Sequence, residues 1–78
     1  MKIDGNWICV AVESIVAVHE EMGCHFEFHV DENITIYTES LGNLDAKEIS
    51  RRLIKRLPDR FDVSLFLESE MILVEYND

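Results

Sequence analysis

Hydrophobic and polar positions along the chain change period several times, and the changes divide it into elements. From Trp7 to Val18 the chain is almost wholly apolar, broken only by Glu13 and Ser14, and rich in β-branched residues. Such a run predicts two short strands, 7–12 and 15–20, joined at Glu13-Ser14 or continuous through a bulge there. Glu-Ser is a poor two-residue hairpin turn, because the favoured turns need residues that tolerate positive φ. Glu21-Met22-Gly23 supplies the next turn, and Cys24 to Val30 then alternates with the period of two of a half-buried strand, Cys24, Phe26, Phe28 and Val30 facing inward. Asp31-Glu32-Asn33 turns the chain again, and Ile34 to Glu39 continues as a strand with Ile34 and Ile36 inward.

The period then becomes helical. Asp45 with Glu48 three residues on has the form of a capping box, and Leu44 with Ile49 that of a hydrophobic staple. Ala46, Ile49, Leu53 and Leu57 recur at helical spacing as a buried stripe, and Pro58 stops the helix. Beyond it Phe61, Val63, Leu65 and Leu67 alternate with Asp62, Ser64, Phe66 and Glu68; a turn at Glu68-Ser69-Glu70 leads to a last strand, Met71 to Tyr76. The predicted fold is α+β, a mainly antiparallel curled sheet with one amphipathic helix in the order ββββ-α-ββ, forming one domain over residues 1–78. One helix covers only part of six strands. The first strand is apolar on both faces, with Trp7, Cys9 and Ala11 on one and Ile8, Val10 and Val12 on the other, so curling or a partner chain must cover the remainder.

Charge changes this picture. Residues 47–60 hold six of the seven basic residues (Lys47, Arg51, Arg52, Lys55, Arg56, Arg60) and two acids, a net +4; the rest holds one base and fourteen acids, a net −13. Such a body repels nucleic acid and attracts the basic grooves that hold it. The basic side of the helix, with Lys47, Arg51 and Lys55 at i, i+4 spacing, has a layout that can lie against phosphates, but the remaining charge opposes that approach. No direct nucleic-acid binding is expected. The two cysteines, Cys9 and Cys24, form no disulfide framework, and the sequence opens on no basic, then apolar, leader. A reducing cytoplasmic compartment is the expectation, without a membrane span.

Candidate chemistry is sparse. His19, Cys24, His25 and His29 suggest zinc by spacing, but on a strand Cys24 faces away from His25 and His29, which stand about 13 Å apart, too far for bonds of about 2 Å to one ion. If Glu20 pairs with Cys24 and Val30 with Ile34, then His19, His25 and Glu39 form a row across three strands with Glu27 diagonal to it, a row able to take a metal or another charged surface but more simply an ordinary polar sheet face. Both cysteines fall at predicted inward positions, where a thiol acts as a small hydrophobe, and no serine sits in a glycine-flanked elbow. No catalytic residue, metal or cofactor is assigned.

The acids carry the functional reading. Glu20, Glu21, Glu27, Asp31, Glu32, Glu39, Glu68 and Glu70 are the candidate partner-binding residues. Carboxylates two apart on a strand are spaced about 6.7 Å, about twice the 3.4 Å rise per phosphate of one DNA strand, and meet Arg and Lys through charge-assisted hydrogen bonds. In length, compactness and acidity the chain resembles the small phage-encoded inhibitors that imitate nucleic acid, the anti-restriction and anti-CRISPR class. That resemblance implies a stoichiometric blocker occupying the basic site of a nucleic-acid-handling complex, in the host cytoplasm if phage-encoded. The alternative is a small regulatory or assembly module, a homodimer through its apolar N-terminal strand (Ile8, Val10, Val12, Ile15) that uses the basic helix for contacts.

Overall fold

The computed structural model describes residues 6–77; residues 1–5, to which the leader argument applies, and residue 78 lie outside them. Six elements follow in the order α1 (Asn6–Met22), β1 (Glu27–Val30), β2 (Ile34–Tyr37), α2 (Asn43–Arg56), β3 (Phe61–Phe66) and β4 (Met71–Tyr76). The fold is α+β as expected, but its order is αββαββ. Its four strands form one antiparallel sheet in the order β1-β2-β4-β3.

The two N-terminal strands of the sequence reading are one helix. Ala11, Ile15 and Val18 are fully or almost fully buried, at i, i+4 and i+7, and half-buried Trp7 and Met22 extend the same stripe. Val, Ile and Trp favour strands only weakly, and packing of this stripe outweighs that preference. Cys9 and Val10, assigned there to opposite strand faces, are both exposed on α1. Gly23 is the C-cap of α1, not a hairpin residue: its φ is +70° and its N–H donates to the His19 carbonyl at 3.0 Å.

With a second helix in place, one face of the sheet is covered. Ile34, Ile36, Ile72 and Val74 are completely buried, share one face of the sheet by register, and join Ala11, Ile15 and Val18 of α1 and Ile49 and Leu53 of α2 in one core. At the far edge Trp7 stacks on Tyr76 with centroids 5.7 Å apart, and Phe61 meets both rings. The opposite sheet face has no layer on it among the described residues.

The hairpin register is the predicted one, Val30 opposite Ile34. Phe26 is buried, while Cys24 and Phe28 are half-buried against the core. Val30 is 38 % exposed, because it lies on the outermost strand beyond the reach of either helix. Along α2 the stripe Ala46, Ile49, Leu53 and Leu57 is buried as predicted. Its start is earlier: Gly42 is the N-cap without a side-chain cap, and the first bond runs from Ala46 N–H to the Gly42 carbonyl. Asp45 therefore lies inside the first turn, where a carboxylate suits the helix dipole. Leu44 is 81 % exposed, so the staple does not form.

Candidate partner-binding surface

The eight candidate acids are all exposed, but the fold divides them. Glu27 begins β1 opposite Tyr37, the last residue of β2, and Tyr37 pairs in turn with Met71, the first residue of β4. The Thr38 N–H donates to the Glu70 carbonyl at 2.9 Å, which brings Glu39 and Glu70 to the same end of the sheet. Glu68 lies in the β3–β4 turn beside them. Glu27, Glu39, Glu68 and Glu70 thus share one end of four adjacent strands, which at about 4.8 Å per strand spans about 15 Å. Asp31 and Glu32 occupy the β1–β2 turn at the opposite end.

Glu20 and Glu21 are not turn residues; they lie on the last turn of α1. Glu21 faces α2, where it accepts hydrogen bonds from Arg56 and, at 3.0 Å, from Arg52. The Arg56 bond above all, helped by that of Arg52, holds its carboxyl below the usual range despite the opposing effect of desolvation. Glu48 binds the same group of cations: it accepts from Arg51 at 2.6 and 3.1 Å and from Arg52 at 2.7 Å. Those bonds, Arg51 first, lower its pKa to about 2. Arg51 and Arg52 are correspondingly raised, chiefly by their bonds to Glu48.

Arg52 therefore joins two carboxylates from two helices, and the five groups form a clasp between the end of α1 and the outer side of α2. This clasp was hidden in the sequence because Glu21 and Arg52 are 31 residues apart. It occupies three of the six clustered cations. Lys47, Lys55 and Arg60 remain without a carboxylate partner among the described residues. The basic helix is thus partly a structural seam.

The histidines meet by a different route from the predicted one. His19, on the last turn of α1, lies edge-on to His25 with centroids 6.0 Å apart and to Phe26 at 5.2 Å. His25 Nε2 stands 3.8 Å from a Glu27 carboxylate oxygen, and His25, Glu27, Tyr37, Glu39 and Ser40 line a shallow depression of about 160 Å³. Among the described residues no three His, Cys, Asp or Glu side chains are placed to hold one metal ion. None of the described helices is long and apolar enough to cross a membrane.

By register, the uncovered face carries Glu27, Tyr37, Met71 and Phe66 in one row and His29, Thr35, Leu73 and Ser64 in the next, with Asp62 and Glu75 beyond. Tyr37 and Phe66 are exposed and Met71 half-buried, so an apolar strip crosses the strands just inside the acidic end. An apolar centre with a charged rim is the common anatomy of a protein-binding patch. Comparison with protein-family models, with curated proteins and with solved structures gives no match to this chain.

Proposed function

We propose that this is a non-catalytic acidic interaction domain whose carboxylates occupy a basic site on a nucleic-acid-handling protein complex, in the manner of a nucleic-acid mimic. One observation carries the reading: Glu27, Glu39, Glu68 and Glu70 gather exposed at one end of the sheet, beside the Tyr37-Met71-Phe66 strip, while three of the clustered cations are tied to Glu21 and Glu48. The carboxylates give long-range attraction to a basic groove, and the apolar strip gives the short-range contact that charge alone does not. Of the eight candidate acids these four form the primary contact. Glu20, Asp31 and Glu32 contribute to the general field, and Glu21 serves the clasp.

The test is capture of basic nucleic-acid-binding proteins at low salt, followed by competition with duplex and single-stranded nucleic acid. A mimic releases its target when nucleic acid is added, and its affinity falls steeply with salt. Reversal of Glu68 and Glu70 to Lys weakens the complex at least about tenfold, since opposed charges become repulsive. Arg51 and Lys55 changed together to Glu leave it unchanged or tighter. If that helix variant abolishes binding and the acid reversal is silent, the proposal is wrong.

A further inference from the structure

We infer that β1 is a self-complementary edge through which two copies of this chain associate, joining their sheets into one of eight strands. Among the described residues no strand pairs with the outer side of β1. The direction of its main-chain groups follows from the ladder. The Thr38 N–H donates to Glu70 across β2 and β4, so the even-numbered residues of β2 bond towards β4, and Thr35 and Tyr37 bond towards β1. Their partners there are His29 and Glu27. The N–H and C=O groups of Phe28 and Val30 consequently point away from the sheet, ready for another strand.

Side chains select one register. Antiparallel pairing about a two-fold axis at Phe28 sets Phe28 opposite Phe28 of the second copy and Phe26 opposite Val30 of the second copy. In that register the outward main-chain groups face one another. On the uncovered face Glu27 stands opposite His29 of the second copy, twice by symmetry, a carboxylate against an imidazole that can donate a hydrogen bond. A slip by two residues in one direction opposes Glu27 to Glu27; in the other it opposes Glu27 to Asp31. Both set like charges across the pair, which is destabilising.

The covered face is also prepared. A groove of about 200 Å³ between α1 and β1 is lined by Ile15, Val16, His19, Phe26 and Phe28. Val16 at its rim is 42 % exposed although it lies in the middle of α1. An added strand sets the Phe28 ring of the second copy along this groove and covers Val16 and Val30, both otherwise in water. This isologous contact shares Glu27 with the acidic end of the sheet but otherwise runs along the β1 edge, and its salt response is opposite. Each chain carries −9, so salt screens the repulsion between copies and strengthens self-association, whereas it weakens binding of a basic partner.

The interface is small, and a dissociation constant on the order of 10–100 μM is expected in about 0.3 M NaCl. Sedimentation velocity from about 10 μM to about 1 mM reads it directly as a shift from monomer to dimer mass. His29→Glu should raise the constant at least tenfold, and the exchange Glu27→His with His29→Glu should restore it, because the symmetric pair is merely inverted. Val30→Pro removes a donor from the open edge and should leave only monomer. In the unmodified chain, amide exchange supplies a readout that needs no variant: the Phe28 and Val30 amides gain protection as concentration rises, while those of Glu27 and His29 do not change. A monomer at about 1 mM in about 0.3 M NaCl overturns the inference. So does a dimer in which the Phe28 and Val30 amides remain unprotected, or in which the Glu27/His29 exchange fails to recover what His29→Glu loses.

Discussion

Glu70 holds φ at +57°, the one non-glycine residue described with a left-handed backbone, in the turn that joins β3 to β4. A Cβ raises the energy of that conformation by about 1–2 kcal/mol, so Glu70→Gly should stabilise the fold by about 0.5–1 kcal/mol after the extra chain entropy of glycine is subtracted. Urea unfolding measures the gain. Because Glu70 also belongs to the acidic end, Glu70→Gly should tighten folding while it weakens partner binding, and the two readouts separate the roles. Gly23 is the converse case. Its φ of +70° suits glycine, and a Cβ placed there meets nothing within 4 Å, so Gly23→Ala tests conformation alone. A loss of about 1 kcal/mol is expected, with no change in the packed core.

At the scale of elements, α2 covers the sheet through a stripe that alternation and helical spacing reveal directly. Leu53 is completely buried within it, so Leu53→Ala should cost about 2–5 kcal/mol by urea unfolding. A loss below about 0.5 kcal/mol would mean that the helix is not packed in this way. The clasp beside it responds to acid. Glu48 has its pKa depressed from 4.5 to about 2, so its contribution is complete above the unfolded value and is lost as pH falls from 4.5 through about 2. Stability measured over that interval should fall less steeply in Glu48→Gln than in the unmodified chain. The same features show what a sequence discloses. β1, β2, β3, β4 and the α2 stripe were legible because local period reports which side is buried. The segment that becomes α1 was not, because apolar residues, six of them Val or Ile, fill ten of the twelve positions from Trp7 to Val18 and no period stands out from the background. Its buried set, Ala11, Ile15 and Val18, is recognisable only against a sheet one face of which needs cover. Glu39, Glu68 and Glu70 could be placed at a strand end or a turn and Glu27 only within a strand, but their meeting at one end depends on where β1 begins and on β4 lying between β2 and β3, a long-range pairing that periodicity does not encode.

For the whole molecule, two electrostatic effects oppose each other, and their magnitudes decide the sign of the salt response. Glu21, Glu48, Arg51, Arg52 and Arg56 form attractive pairs that salt weakens, but they lie at the surface, exposed or half-buried, where solvent screening keeps the net contribution of each pair small. Against them stands a net charge of −9 on 78 residues, with carboxylates distributed over both ends of the sheet and unable to move apart while the chain is folded. Unfolding expands the chain and relieves that repulsion, so the excess charge favours the unfolded state, and screening it should favour the folded one. The urea midpoint is therefore expected to rise as NaCl increases from about 10 mM to about 0.3 M, over which the Debye length falls from about 30 Å to below about 8 Å. Reversing Asp31 and Glu32 to Lys changes the net charge by four, to −5, at a turn far from both the clasp and the Glu68/Glu70 end. That variant should be at least as stable as the unmodified chain at low salt and should show a shallower salt dependence. A midpoint that instead falls with salt in the unmodified chain would mean that the clasp outweighs the self-repulsion and that the arginines of α2, not the acids, dominate the electrostatics of the fold.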